Sequence, residues 1–227
     1  MPVLQALHDG RLPGWTLTGV FARESRDLGV VRATADLEQF LGQSPDLILE
    51  AAGPAALASI GVRALSVADV WTVSGAALAD DRLYRELDSA GSSSGHRLRL
   101  VPGALAGLDG VAMAFFDPHA KLRIDIDLRP GEGGTGRIFS GTARQAAVQF
   151  PDGVNVAAAA ALAGPGMDDT RVVVSHAASR HRLSLAASSA HAEVRASVEP
   201  RTEAGLHPVA ACLIACLHRE TRTIWAG

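Results

Sequence analysis

The sequence predicts an α/β protein: a parallel sheet that lacks its first strand, followed by an α+β part with a mixed or antiparallel sheet. Three observations carry that expectation. Up to about residue 100, short apolar runs alternate with helical segments, the pattern of parallel strands covered on both faces. Beyond residue 120, apolar and polar residues alternate one by one, as in strands with one buried face. The opening MPVLQALHDGRLPGWTLTGVF reads as helix, turn and strand, which is the second half of a βαβ unit without its leading strand.

In order along the chain, Val3 to about His8 suits a helix, Asp9-Gly10 to Gly14 a turn, and Trp15 to Phe21 a strand. SRDLGVVRATADLEQFLGQS supplies a polar turn, a short strand and a helix. PDLILEAAGP, between Pro45 and Pro54, is a buried strand; AALASIGVRALSVA is a helix and DVWTVSGAAL another buried strand. DDRLYRELDSAGSSSG is an amphipathic helix with Leu83 and Leu87 at i, i+4, stopped by a Gly/Ser cluster. HRLRLVPG returns as a strand.

After ALAGLDGVAMAF, AKLRIDIDLRP places Leu122, Ile124, Ile126 and Leu128 on one face, RHRLSLAASS alternates likewise, and AEVRASVEP adds a third strand. GTARQAAVQF and NVAAAAALAG between them are helical, and GEGGTG (131–136) is a tight loop. PVAACLIACLHRE is apolar enough to pack back on the first part. The expected division is 1–100, joined by helix 208–220, and 101–207.

Composition narrows the function. The chain of 227 residues is 48% hydrophobic, only 4% aromatic and carries net charge −3, with no basic run. Neither base-stacking platforms nor a phosphate-binding surface is expected, so nucleic acid is excluded as a partner. Cys212 and Cys216, four apart on one helix face, read as buried small hydrophobes, with metal or redox use as the alternative; no metal site is expected. No run approaches 18 apolar residues and the N-terminus has no basic-then-apolar pattern, so a soluble cytoplasmic protein without membrane contact is expected.

Four stretches carry a family resemblance: VSGAALADDRLY, LVPGALAGLDGV, FSGTARQAAVQFPDGVNVAAAAALAG, and the strand histidine of SRHRL. Together they resemble the L-aspartate dehydrogenases, over most of the chain. The resemblance implies a Rossmann-like domain with an α+β second domain, a homodimer, NAD or NADP as cofactor, and a small amino acid or its imine as substrate. It also implies roles. Ala104 falls where the family's loop approaches the nicotinamide, Asn155 where an asparagine lies beside the cofactor, and His181 at the catalytic histidine; of Arg129, Arg144 and Arg180, the candidates for a bidentate bond to a substrate carboxylate, Arg144 in GTAR fits the family best. Arg23, after the opening strand, is placed to face an NADP 2′-phosphate, or is a solvated turn residue.

The residue types suit that chemistry. A histidine titrates near neutrality and can activate water for imine hydrolysis. An amide can hold the nicotinamide carboxamide, and small residues admit close approach. Asn155 also suits the N-cap of its helix, and His176 is a rival to His181, with His96, His119, His191 and His207 expected at the surface.

Departures from the family pattern are equally visible. No strand-to-helix GxGxxG turn precedes the opening helix, so the phosphate cradle at a helix N-terminus is missing and the neighbouring strands are left without a partner. The substrate-side loop is cut to RPGEGGTGRIF, His176-Ala177 stands for an Asp-Pro, Gly153 for an Asn, and Gly205-Leu206-His207 for Lys-Thr-Ser. Three functions therefore compete: an aspartate dehydrogenase-type oxidoreductase, a non-catalytic binding or scaffolding relative, and a lyase or isomerase that reuses the histidine pocket.

Overall fold

The computed structural model describes residues 2–129, 134–177, 180–201 and 205–224. The parallel sheet consists of β3 (Leu47–Glu50), β4 (Asp69–Thr72) and β5 (Leu98–Leu100) in that order. It is preceded by helix α1 (Pro2–His8), a small antiparallel ribbon of β1 (Arg26–Asp27) and β2 (Arg32–Ala33), and helix α2 (Leu37–Leu41). Helices α3 (Pro54–Leu65) and α4 (Asp81–Ser94) are the crossovers. Pro54 starts α3 at a position whose N–H would be unpaired in any case, and Leu57, Gly61, Ala64 and Leu65 form its buried stripe. In α4, Asp80 caps the N-terminus by accepting from the N–H groups of Arg82 and Leu83, and Gly95 closes the C-terminus at φ 80°, a left-handed conformation that glycine adopts without strain.

The opening departs from expectation. Residues 15–20 form no strand; the segment makes one parallel bridge, Phe21 to Thr34, with Ala22 N–H donating to the Thr34 carbonyl and Thr34 N–H to that of Val20. A parallel strand between two neighbours is held from both sides. Here β3 is the edge of its sheet, and no strand among the described residues joins it to this segment. Trp15 is anchored by its side chain instead: its indole N–H donates to the Leu217 carbonyl at 2.9 Å, and its ring meets Trp71 edge-on at 6.4 Å.

DVWTVSGAAL is likewise a strand only to Thr72; Gly75–Ala79 is a 3-10 turn, because the Ala76 N–H is captured by a side chain of the following domain.

The second sheet has five strands in the order β10-β9-β6-β8-β7: β6 (Lys121–Leu128), β7 (Gly136–Thr142), β8 (Thr170–His176), β9 (Arg182–Ser188) and β10 (Glu193–Val198). Central β6 and β8 are parallel and the other pairs antiparallel, so the sheet is mixed. The sequence reading lacks β7 and β8. GRIFSGT has no clean alternation, its pairing with β8 being interrupted between Arg137 and Phe139. TRVVVSH has a continuous apolar centre, as a strand interior to a sheet does.

Helices α5 (Leu108–Ala114), α6 (Ala143–Gln149) and α7 (Asn155–Ala163) cover one face of this sheet. Five consecutive alanines of α7, Ala157 to Ala161, are buried, which lets the helix be packed on several sides at once. The capping box of α6 pairs Thr142 with Gln145. Residues 130–133, which include the first half of GEGGTG, lie outside the described residues. Helix α8 (Pro208–Glu220) returns to the first sheet, where Leu213, Cys216 and Leu217 share a core with Ala6, Leu12, Trp71 and Val101.

Candidate active site

In an open parallel sheet the carboxyl ends of the strands are where ligands are held, because the loops diverge there. A buried carboxylate organises that edge. Glu50, at the end of β3, accepts from the N–H groups of Ala52 (2.7 Å) and Gly53 (3.0 Å) and from the Thr72 hydroxyl (2.5 Å). The Thr72 oxygen in turn accepts the Ser74 N–H at 2.9 Å. One side chain thus sets both the loop after β3 and the loop after β4. The sequence reading missed it; the signal was a lone charge ending the apolar run LIL. The Ser74 hydroxyl is buried with no partner among the described residues, an orphan of the kind that recurs at functional sites.

The second domain completes the edge with the start of α7. Asn155 Oδ1 accepts the Ala76 N–H at 3.0 Å. Asn155 is therefore not the N-cap of its helix, a place held by Val154 without a side-chain bond; the amide turns outward to the loop after β4. Gly75 fits because it has no side chain: a Cβ there would lie 3.1 Å from the Asn155 carbonyl oxygen and 3.3 Å from Leu100. Gly103, at φ 65°, passes the loop after β5 over Val156. Ala104 follows it, half-buried against the main core. Asn155 and Ala104 are thus brought to the same edge, on either side of Val156.

The loop runs on to the second sheet, where Gly107 touches Ala196 and Leu185. His181 enters β9 at the end of β6, half-buried, with Leu183 and Leu185 alternating behind it as buried residues. Its Nδ1 lies 2.8 Å from the Asp127 carbonyl oxygen. A carbonyl only accepts, so Nδ1 carries the hydrogen and the Nε2 lone pair is the basic site. Arg180 and Arg182, either side of it, reach Glu199 at 3.3 and 2.7 Å. They hold the Glu199 carboxyl below the usual carboxylate range, Arg182 more than Arg180. His181 and Asn155 share no hydrogen bond among the described residues. The rival His176 ends β8 and is turned toward the Arg129 carbonyl at 3.3 Å.

Arg144 is not the vacant fork that the sequence reading expected. Its Nε and Nη2 grip Asp168 at 2.7 and 2.8 Å, Nη1 reaches Asp81 at 2.9 Å, and the Ala79 carbonyl is a further acceptor. Asp168 first, then Asp81, raises its pKa, and Arg144 lowers that of Asp168. The residue ties α6 to the loop before β8 and to the start of α4. Arg23 is exposed, just past the Phe21–Thr34 bridge.

Comparison with known proteins bears on this arrangement. Residues 2–101 match the family model of the homoserine dehydrogenase NAD-binding domain, and residues 111–218 that of the aspartate dehydrogenase C-terminal domain. L-aspartate dehydrogenase of Ruegeria pomeroyi is 35% identical over 211 residues, 82% of this chain and 76% of that protein. The chain belongs to the aspartate dehydrogenase family. L-aspartate dehydrogenase 1 of Bordetella pertussis is 35% identical over 170 residues, 69% of this chain and 65% of that protein. The crystal structure of aspartate dehydrogenase from Thermotoga maritima shares the fold, with a TM-score of 0.79 over 97% of this chain and 95% of that one, at 19% identity.

Aspartate dehydrogenase family membership makes the chain an NAD(P)-dependent oxidoreductase by class, and does not favour the scaffolding, lyase or isomerase readings. The edge combines Gly75, where a Cβ would crowd Asn155, with Gly103 in a left-handed turn, an amide with its Nδ2 turned from the Ala76 bond, and an orphaned hydroxyl.

Proposed function

We propose that this protein oxidises L-aspartate, or an equally small amino acid, with NAD or NADP, and reduces the matching imine in reverse. The seating of Asn155 carries the reading. With Oδ1 fixed on the Ala76 N–H, Nδ2 is left to donate to the nicotinamide carboxamide and so to select one ring face. Ala104 and Gly103 keep that place free of bulk, and Arg23 offers its charge to a 2′-phosphate.

A nicotinamide held by Asn155 would supply the acceptor for the hydride from the substrate Cα. His181 then acts on water. Its Nε2 takes the proton from the water that adds to the imine carbon and returns it to the departing ammonia, while the Nδ1–H bond to Asp127 holds the ring in place. Glu199, by tying Arg180 and Arg182, keeps the strand entry that carries the ring. The protein works as a cytoplasmic homodimer joined through the second sheet, whose uncovered face carries Arg123, Asp125 and Ser184.

The test is formation of reduced nicotinamide from L-aspartate with either cofactor, and its consumption with oxaloacetate and ammonia. Turnover that depends on His181 is expected. Inactivity in both directions across a panel of small amino acids overturns the proposal.

A further inference from the structure

The core between α8 and the first sheet holds a pair of thiols that the reaction above does not use. Cys212 and Cys216 lie one turn apart on the packed face of α8, Cys212 half-buried and Cys216 1% exposed. Both pack in that core as their spacing suggests, and Cys216 meets a cation there as well. Cys216 Sγ accepts from Arg219 Nη2–H at 3.3 Å, and the Cys212 thiol lies one turn before it on the same helix. A second guanidinium faces it from β5: Arg99, lying 4.5 Å over the Trp71 ring and paired with Glu220 at 2.5 Å.

This arrangement divides the labour between the sulfurs. The bond from Cys212, then that from Arg219, brings the Cys216 thiol down to about 6 against its burial, whereas Cys212 is pushed up. Cys216, with the Arg219 guanidinium on its sulfur, is the thiol whose thiolate is favoured, and Cys212 lies one turn away.

We propose that Cys212 and Cys216 form an oxidation site for a small hydroperoxide, in which Cys216 is oxidised first and Cys212 resolves it to a disulfide. The Cys216 sulfur attacks one peroxide oxygen, the O–O bond breaks, and with hydrogen peroxide the leaving hydroxide takes up a proton as water, giving a sulfenic acid. The Cys212 sulfur then attacks the Cys216 sulfur, the S–O bond breaks, and the thiol proton leaves with the hydroxyl as a second water. Two thiols lose two hydrogens and one peroxide becomes two waters.

Residues one turn apart have Cβ atoms about 5–6 Å from each other, and a disulfide needs about 3.5–4.5 Å. The helix must therefore tighten locally, which it does most easily near an end, and Cys216 lies within one turn of the C-terminal Glu220. Such a bond is strained and readily reduced. Burial of Cys216 also restricts the reagent to one of nearly water size.

The test is hydrogen peroxide treatment of the intact protein, read by mass spectrometry. A loss of two hydrogens mapping to the peptide with both cysteines, restored by dithiothreitol, is expected. Cys212→Ser should stop at a sulfenic acid on Cys216 that dimedone traps, and Cys216→Ser should give no early product. At pH 6, Arg219→Gln should slow the first step by about tenfold or more through loss of thiolate, and Arg219→Lys should restore most of it. Oxidation of Cys212 ahead of Cys216, no reaction of the parent, or an Arg219→Gln rate equal to that of the parent overturns the proposal.

Discussion

At the scale of residues, the site depends on what the second atom of each polar group does. His181 is useful because Nδ1 is already committed to the Asp127 carbonyl, so the tautomer is set before substrate arrives. Replacing it with Ala is expected to lower kcat/KM by about 10²–10⁴-fold, the range for a lost acid–base group. NADH fluorescence titration should show cofactor affinity almost unchanged, and His176→Ala should keep most of the activity. Asn155 has both a structural and a binding half. Asn155→Ala leaves the Ala76 N–H without its acceptor, which costs about 1–3 kcal/mol, and should raise KM for the cofactor in the same variant; a normal KM with lowered stability would confine Asn155 to the structural half. The Ser74 hydroxyl, by contrast, has no described partner to lose.

At the scale of elements, function depends on junctions. Arg144, rooted in α6, ties the loop before β8 to the start of α4, and thereby holds the 3-10 turn against α7. Arg144→Met is expected to destabilise by about 1–3 kcal/mol, as for other broken partly buried networks, which thermal unfolding would report.

The carboxylates around these junctions set an acid limit. Asp168 beside Arg144, and Glu199 beside Arg182 and Arg180, both titrate below their ordinary range when folded. Their contribution is thus fully present above the ordinary carboxylate pKa of about 4 and is lost as pH falls through the lowered folded values. Unfolding followed from pH 6 downward should show stability falling in that window, less steeply in Asp168→Asn and Glu199→Gln. Gly75 is a third junction. Gly75→Ala should misplace the turn against Asn155 and lower activity more than stability, since a Cβ would press on the residue that seats the cofactor.

At the scale of the whole molecule, the parallel sheet and the mixed sheet are joined by Asn155, Arg144 and α8, and the proposed cofactor edge lies at that joint. Light scattering at micromolar concentration should give twice the monomer mass, and a monomer would remove the proposed role of the second sheet in assembly. No helix among the described residues is long and apolar enough to cross a membrane.

The sequence by itself determined the elements whose signals are local. Capped and periodic α3 and α4, the apolar run of β3, the alternating β6 and β9, and the apolar face of α8 follow from propensity and pattern within each segment. Its motifs also led to the family. What needed the tertiary structure were the outcomes set by partners distant in the chain. Trp15 to Phe21 has the composition of a strand, but a strand exists only where a neighbour supplies hydrogen bonds, and here one bridge remains. Asn155 has the chemistry of a cap, yet Ala76, 79 residues away, takes its oxygen. Arg144 has the shape of a carboxylate receptor, but Asp168 and Asp81 fill it. Cys212 and Cys216 pass for core residues until Arg219 and Arg99 are placed beside them. In each case the side chain's type fixed what it was able to bond, and only packing decided which partner came within reach.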